Sequence, residues 1–147
     1  MKTISDTSRF KLPLGTRVLG WSGLLPFLAT LALAVLAPGA RILASSMFIA
    51  YGAVILSFIG GTRWGSGLAM QAPGPRLVES VLPSLLGFGA LLLVHTPAPA
   101  LAVLAAGFAA WLVIDLRDRT WSPAYRHMRL GISITVLALH AAWIVVL

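Results

Sequence analysis

The chain has 147 residues, of which 59% are hydrophobic and only 10% charged, with a net charge of +7 and no cysteine; its mean hydropathy is +0.93. Soluble domains carry about 25% charged residues, so so few charges cannot cover a globule in water, and lipid is the expected solvent. The absence of cysteine excludes disulfides, thiolate metal sites and thiol nucleophiles. The positive charge lies at the edges of apolar runs rather than in a polybasic stripe, which points to membrane flanks and away from nucleic acid.

In chain order, a basic segment over 1–17 precedes five apolar stretches, at 18–36, 42–62, 77–94, 98–116 and 130–147. Each is about the length a helix needs to cross the hydrocarbon core, and none alternates as barrel strands do. The expected fold is therefore all-α: one integral-membrane domain of five transmembrane helices. Pro26 interrupts the first stretch, and the long flank before it favours a retained helix over a cleaved signal. The turns "LAPGARI" and "VHTPAPA" are short enough to make the helices they join antiparallel neighbours. The longer "GSGLAMQAPGPR" reads as a flexible loop. Ser122-Pro123 gives a cap followed by proline, so the last helix is expected to begin near Pro123, outside the bilayer. Ten of the eleven lysines and arginines fall on the N-terminal side of the membrane in this parse, which predicts an N-in, C-out arrangement. The compartment expected from these features is a bacterial inner membrane.

Few residues offer chemistry. In "YGAVILSFIGGTRWGSGL", Ala53, Ser57, Gly61 and Gly65 recur every fourth residue, the spacing of a helix-packing face in lipid. Arg63 and Trp64 follow where the helix reaches the interface, as snorkelling and belt residues do. Arg63, Glu79 and Asp115 fall at one depth, with Arg17 and Arg129 near that layer. Charges at the edge of apolar segments are costly alone, so an ion-pair staple is expected. The functional alternatives are a headgroup site for an anionic lipid, quinone or metabolite, or a carboxylate base. Tyr51 and His140 are the other intramembrane polar groups, and His140 has no second histidine at its depth for haem. Pro26 and Pro83 are expected to kink their helices. No phosphate loop, zinc pair or nucleophile elbow is present, so no catalytic residue, metal or cofactor is assigned.

The segments "LGWSGLLPFLATLAL", "YGAVILSFIGGTRWG", "VLPSLLGFGALLL" and "AAGFAAWLVIDLR" together resemble an uncharacterised membrane-protein family. It is a domain-of-unknown-function family that includes bacterial inner-membrane proteins and mitochondrial transmembrane protein 69. The resemblance runs from Leu14 to Leu147, and Tyr51, Ser57, Gly60, Gly61, Arg63, Trp64 and Pro83 match its pattern. It implies a small multi-helix inner-membrane protein with no established activity. The resulting expectation is a non-catalytic accessory or assembly factor whose partners are the bilayer and either other membrane subunits or further copies of itself.

Overall fold

The computed structural model describes residues 12–118 and 121–147; the part of the basic segment before residue 12 lies outside the described residues. The described residues form helices and turns without strands. The helices are α1 (Leu14–Ser22), α2 (Leu25–Leu36), α3 (Arg41–Ala69), α4 (Gly74–Leu92), α5 (Pro97–Arg117) and α6 (Pro123–Val146). Among the described residues, five spans are long and apolar enough to cross a membrane, with α1 and α2 sharing the first over Leu14–Leu36.

The first span is broken, and its sequence explains the break. Pro26 has no N–H to continue a helix and stands in the first turn of α2, so the hydrogen-bond ladder is interrupted there, while Gly23 and Leu24 keep right-handed helical angles. The Tyr51 hydroxyl of α3 donates to the Gly23 carbonyl at 2.9 Å, satisfying a backbone acceptor at the break. Pro83, by contrast, lies inside α4, which runs through it.

The segment expected as a flexible loop is mostly helix. α3 continues for 29 residues to Ala69, and only Met70–Pro73 separates it from α4. Its end is a Schellman turn: Gln71 N–H bonds the Leu68 carbonyl at 3.1 Å and Ala72 N–H bonds the Gly67 carbonyl at 2.8 Å. Gln71 adopts the left-handed conformation this turn needs, with φ 51°. Gly67 packs closely against Leu77 of α4, so this last part of α3 is held by its neighbour. Ser122 caps α6 by accepting from Tyr125 N–H at 3.3 Å, so the last helix begins at Pro123 as the cap signal indicates.

Packing joins α2 to α3, α3 to α4, α4 to α5, α5 to α6 and α6 back to α2, while α3 also touches α5. α3 is thus the central helix, and α1 lies against α6. Close approach is set by glycines. A methyl group built on Gly87 of α4 would come 2.9 Å from the Ala53 carbonyl oxygen and 3.3 Å from Ser57 Oγ. One built on Gly60 would collide with the Ser80 carbonyl and the Pro83 ring. Such contacts hold helices together where lipid removes the hydrophobic drive.

The expected small-residue ladder therefore divides. Ala53 and Ser57 face α4, but nothing lies within 4 Å of a methyl group built on Gly61 or Gly65. The contact face follows the geometry of 3.6 residues per turn through Ala53, Gly60 and Gly67, not an unchanging four-residue step. Exposed apolar side chains such as Val54, Phe58, Leu85 and Phe88 clothe the outside of the bundle.

The two ends of the bundle differ. One, formed by the start of α1, the α3–α4 turn, the end of α5 and the start of α6, carries every charged side chain among the described residues except Arg41. The other half holds an aromatic core. Phe48 packs 4.9 Å from the His140 ring and 5.4 Å from Trp143, and Phe27 lies 5.0 Å from Phe48, with ring centroids measured.

Candidate functional site

Arg63 is brought to the charged end by the last two turns of α3, pointing inward with only 5% of its side chain exposed. Its Nη1 donates to Asp115 Oδ1 of α5 at 3.2 Å, and its Nη2 to Glu79 Oε2 of α4 at 3.4 Å. One guanidinium thus reaches two other helices, using the planar fork that lysine lacks. Trp64, the next residue, is turned away on the outer surface, 42% exposed and outside this cluster.

The cluster is larger than the three residues expected to meet. Arg129 of α6 donates through Nη2 at 2.7 Å and Nε at 3.1 Å to Asp115 Oδ2, a tight pairing that adds a fourth helix. Arg76 of α4 donates to Asp118 Oδ2 at 2.6 Å, and the same oxygen lies 3.6 Å from Arg63 Nη1. Arg126 Nη2 bonds the Leu116 carbonyl at the end of α5 at 2.8 Å, where a cation complements the helix terminus. Three arginines and three carboxylates therefore form one continuous network spanning α3, α4, α5 and α6.

Burial makes this arrangement consequential. The side chains of Arg63, Asp115 and Asp118 are each less than a tenth exposed, while Glu79 is 34% exposed and stands at the rim. Removing charge from water is expensive, and mutual attraction offsets that cost only when partners are close and hydrogen-bonded. Asp115 meets this condition through two arginines. Arg17, placed near this layer by the sequence, lines with His127 a cavity of about 350 Å³ between α1 and the start of α6.

Sequence reasoning did not single out Arg76 and Asp118. Both sit at helix edges and look like ordinary membrane flanks. Their signal was the scarcity of acids: the chain has four, and three of them fall within the α4 start and α5 end.

His140 is buried in the opposite half, away from the network. Its Nδ1 lies 2.8 Å from the Val136 carbonyl one turn back, and its Nε2 has no partner among the described residues. The rings of Phe27, Phe48 and Phe108 surround it with centroids 6.1, 4.9 and 5.5 Å away. Tyr51 joins the same side of Phe27 at 4.9 Å while holding the break between α1 and α2. No group of three or more potential metal-ligating side chains occurs among the described residues.

An apolar groove opens beside the network. Its cavity of about 390 Å³ lies between α1, the α1–α2 break, α3 and α6. Leu24, Phe27, Ile55 and Val136 line its deep part, and Thr16, Thr62, Tyr125 and Arg129 its mouth at the charged end.

Over residues 12–145 the chain matches the family described as Protein of unknown function (DUF3429). It is also 40% identical over 67 residues to Transmembrane protein 69 of Xenopus tropicalis, a match taking in 42% of this chain and 26% of that protein. The chain thus spans well under two thirds of that relative's length. No solved structure matches it. With five membrane-length helices and a family match across nearly its whole length, the chain is a multi-pass membrane protein belonging to the DUF3429 family of unknown function.

Proposed function

We propose that this chain is a non-catalytic accessory subunit or assembly factor of a larger membrane complex, seated in a bacterial inner membrane with its charged end toward the cytoplasm. The observation that carries the reading is the closed charge network. Glu79, Asp115 and Asp118 are each committed to arginines of the same chain. A general base needs a carboxylate poised to take a proton from a substrate. These carboxylates instead neutralise cations that join four helices, which suits a rigid scaffold. The sequence parse, which puts ten of the eleven lysines and arginines in the segments flanking the same side of the apolar stretches, supports the orientation.

The test is native mass spectrometry of the protein gently extracted from its own membrane. The expected mass contains the chain together with at least one other protein subunit, whose identity names the complex. A chain recovered alone, or carrying only a small molecule, overturns the accessory role.

A further inference from the structure

We propose that the cavity between α1 and the start of α6 holds the phosphate of an anionic phospholipid, gripped by Arg17 and His127. The site is distinct from the charge network and does not depend on any protein partner.

Its walls follow from how α1 meets α6. A methyl group built on Gly20 would come 3.1 Å from Met128 Sδ, and one built on Gly131 would come 3.1 Å from Trp21 Cη2. Trp21 and Met128 are therefore each seated against a glycine of the opposite helix, and both line the cavity. Arg17 stands one turn before Trp21 on α1, and His127 directly before Met128 on α6, and they line it too. The volume of about 350 Å³ falls within the roughly 300–1,000 Å³ of small-molecule sites.

The depth of the cavity suits a headgroup. Arg17 directly precedes the apolar stretch at 18–36, and His127 lies just ahead of the one at 130–147. Both thus stand at the water-side edge of a span, where lipid phosphates lie. Leu12, Trp21 and Met128 supply apolar wall for the glycerol and the first part of an acyl chain.

Charge selects among amphiphiles. Arg63, Arg76 and Arg129 are engaged by carboxylates and Arg126 by a carbonyl, whereas no hydrogen bond or ion pair joins the Arg17 side chain to another described residue. Its guanidinium is therefore available, and the planar fork matches the two unesterified oxygens of a phosphodiester. A ring N–H of His127 supplies a further donor from the other helix. Among the described residues, no carboxylate lines the cavity. The ammonium of a zwitterionic head would find no acid there, while the hydroxyls of phosphatidylglycerol need none.

The experiment uses full-length protein, stripped of lipid in detergent and then supplied with phosphatidylglycerol or phosphatidylethanolamine, with bound lipid read by native mass spectrometry. One phosphatidylglycerol per chain is expected to persist, at roughly fivefold higher occupancy than phosphatidylethanolamine at equal concentration. Arg17→Gln should lower that occupancy by about fivefold, and His127→Gln by about twofold or more. Arg117→Gln removes the same charge from an exposed arginine that does not line the cavity, and should leave occupancy unchanged. Equal retention of the two lipids overturns the proposal, as does retention unaffected by Arg17→Gln. An equal loss from Arg17→Gln and Arg117→Gln would mean that net charge alone attracts the lipid, and overturns it as well. Should Arg17→Gln fold poorly, His127→Gln decides in the same way. Displacement of phosphatidylglycerol by an equal concentration of inorganic phosphate would assign the cavity to a free anion and overturn the lipid.

Discussion

At the scale of single residues, backbone conformation and side-chain reach explain most of what this chain does locally. Gln71 occupies the left-handed position of the turn that ends α3, where a side chain costs about 1 kcal/mol and glycine does not. Gln71→Gly should therefore raise the thermal unfolding midpoint in detergent, by the equivalent of about 0.5–1 kcal/mol. A lower midpoint would mean the Gln71 side chain makes a compensating contact. His140 illustrates a different residue-level lesson. Its Nδ1 finds a carbonyl one turn back on its own helix rather than on a neighbouring helix. Its identity was legible in the sequence, but its aromatic surroundings come from α2, α3 and α5 and were not.

Among the helices, glycine position within the turn decides which face meets a neighbour. Gly60 and Gly61 are adjacent yet physically opposite. The first abuts the Ser80 carbonyl and Pro83, and the second faces open space. Gly60→Ala should lower the unfolding midpoint by the equivalent of about 1–3 kcal/mol, because α3 and α4 must separate to admit the methyl group. Gly61→Ala should leave it unchanged or raise it by up to about 1 kcal/mol, since alanine is the better helix former. Equal effects from the two substitutions would place the α3–α4 contact elsewhere. The four-residue spacing in the sequence identified α3 as a packing helix but assigned the face wrongly at Gly61 and Gly65. Small residues were visible, whereas which of them are covered depends on the crossing of α4, which no local pattern encodes. Pro26 and Pro83 make the same point. Both were legible as helix disturbances, yet one separates two helices and the other lies within one.

For the whole molecule, the charged network ties together helices far apart in the chain. Arg63 and Asp115 are separated by 52 positions, and Arg129 closes the ring from the last helix. Arg63→Ala removes a partner from buried Asp115 and from Glu79 together, a change expected to cost about 3–5 kcal/mol. Arg63→Lys should recover only part of this loss, since one ammonium cannot present the same planar fork to Asp115 and Glu79. Thermal unfolding of both variants in detergent checks the order: wild type above Arg63→Lys above Arg63→Ala. An Arg63→Lys midpoint equal to wild type would show that charge alone, without the fork, holds the cluster. That Arg63, Glu79 and Asp115 share one layer could be read from the lengths of the apolar stretches between them. The recruitment of Arg76 and Asp118 could not, since both lie among residues that look like plain flanks.

The sequence by itself determined the solvent, the number of spans and the antiparallel order of their neighbours. These follow from hydropathy, the bilayer's fixed thickness and the shortness of the turns, all of which act along the chain. It also determined that the acids must be paired, since isolated charge in apolar segments is too costly to leave uncompensated. Only the tertiary structure decided which glycines are covered, that Asp118 and Arg76 complete the network, and that a groove opens beside Arg129. Those outcomes depend on how helices cross and rotate against one another, set by contacts between segments remote in sequence, and no periodicity within one segment carries that information.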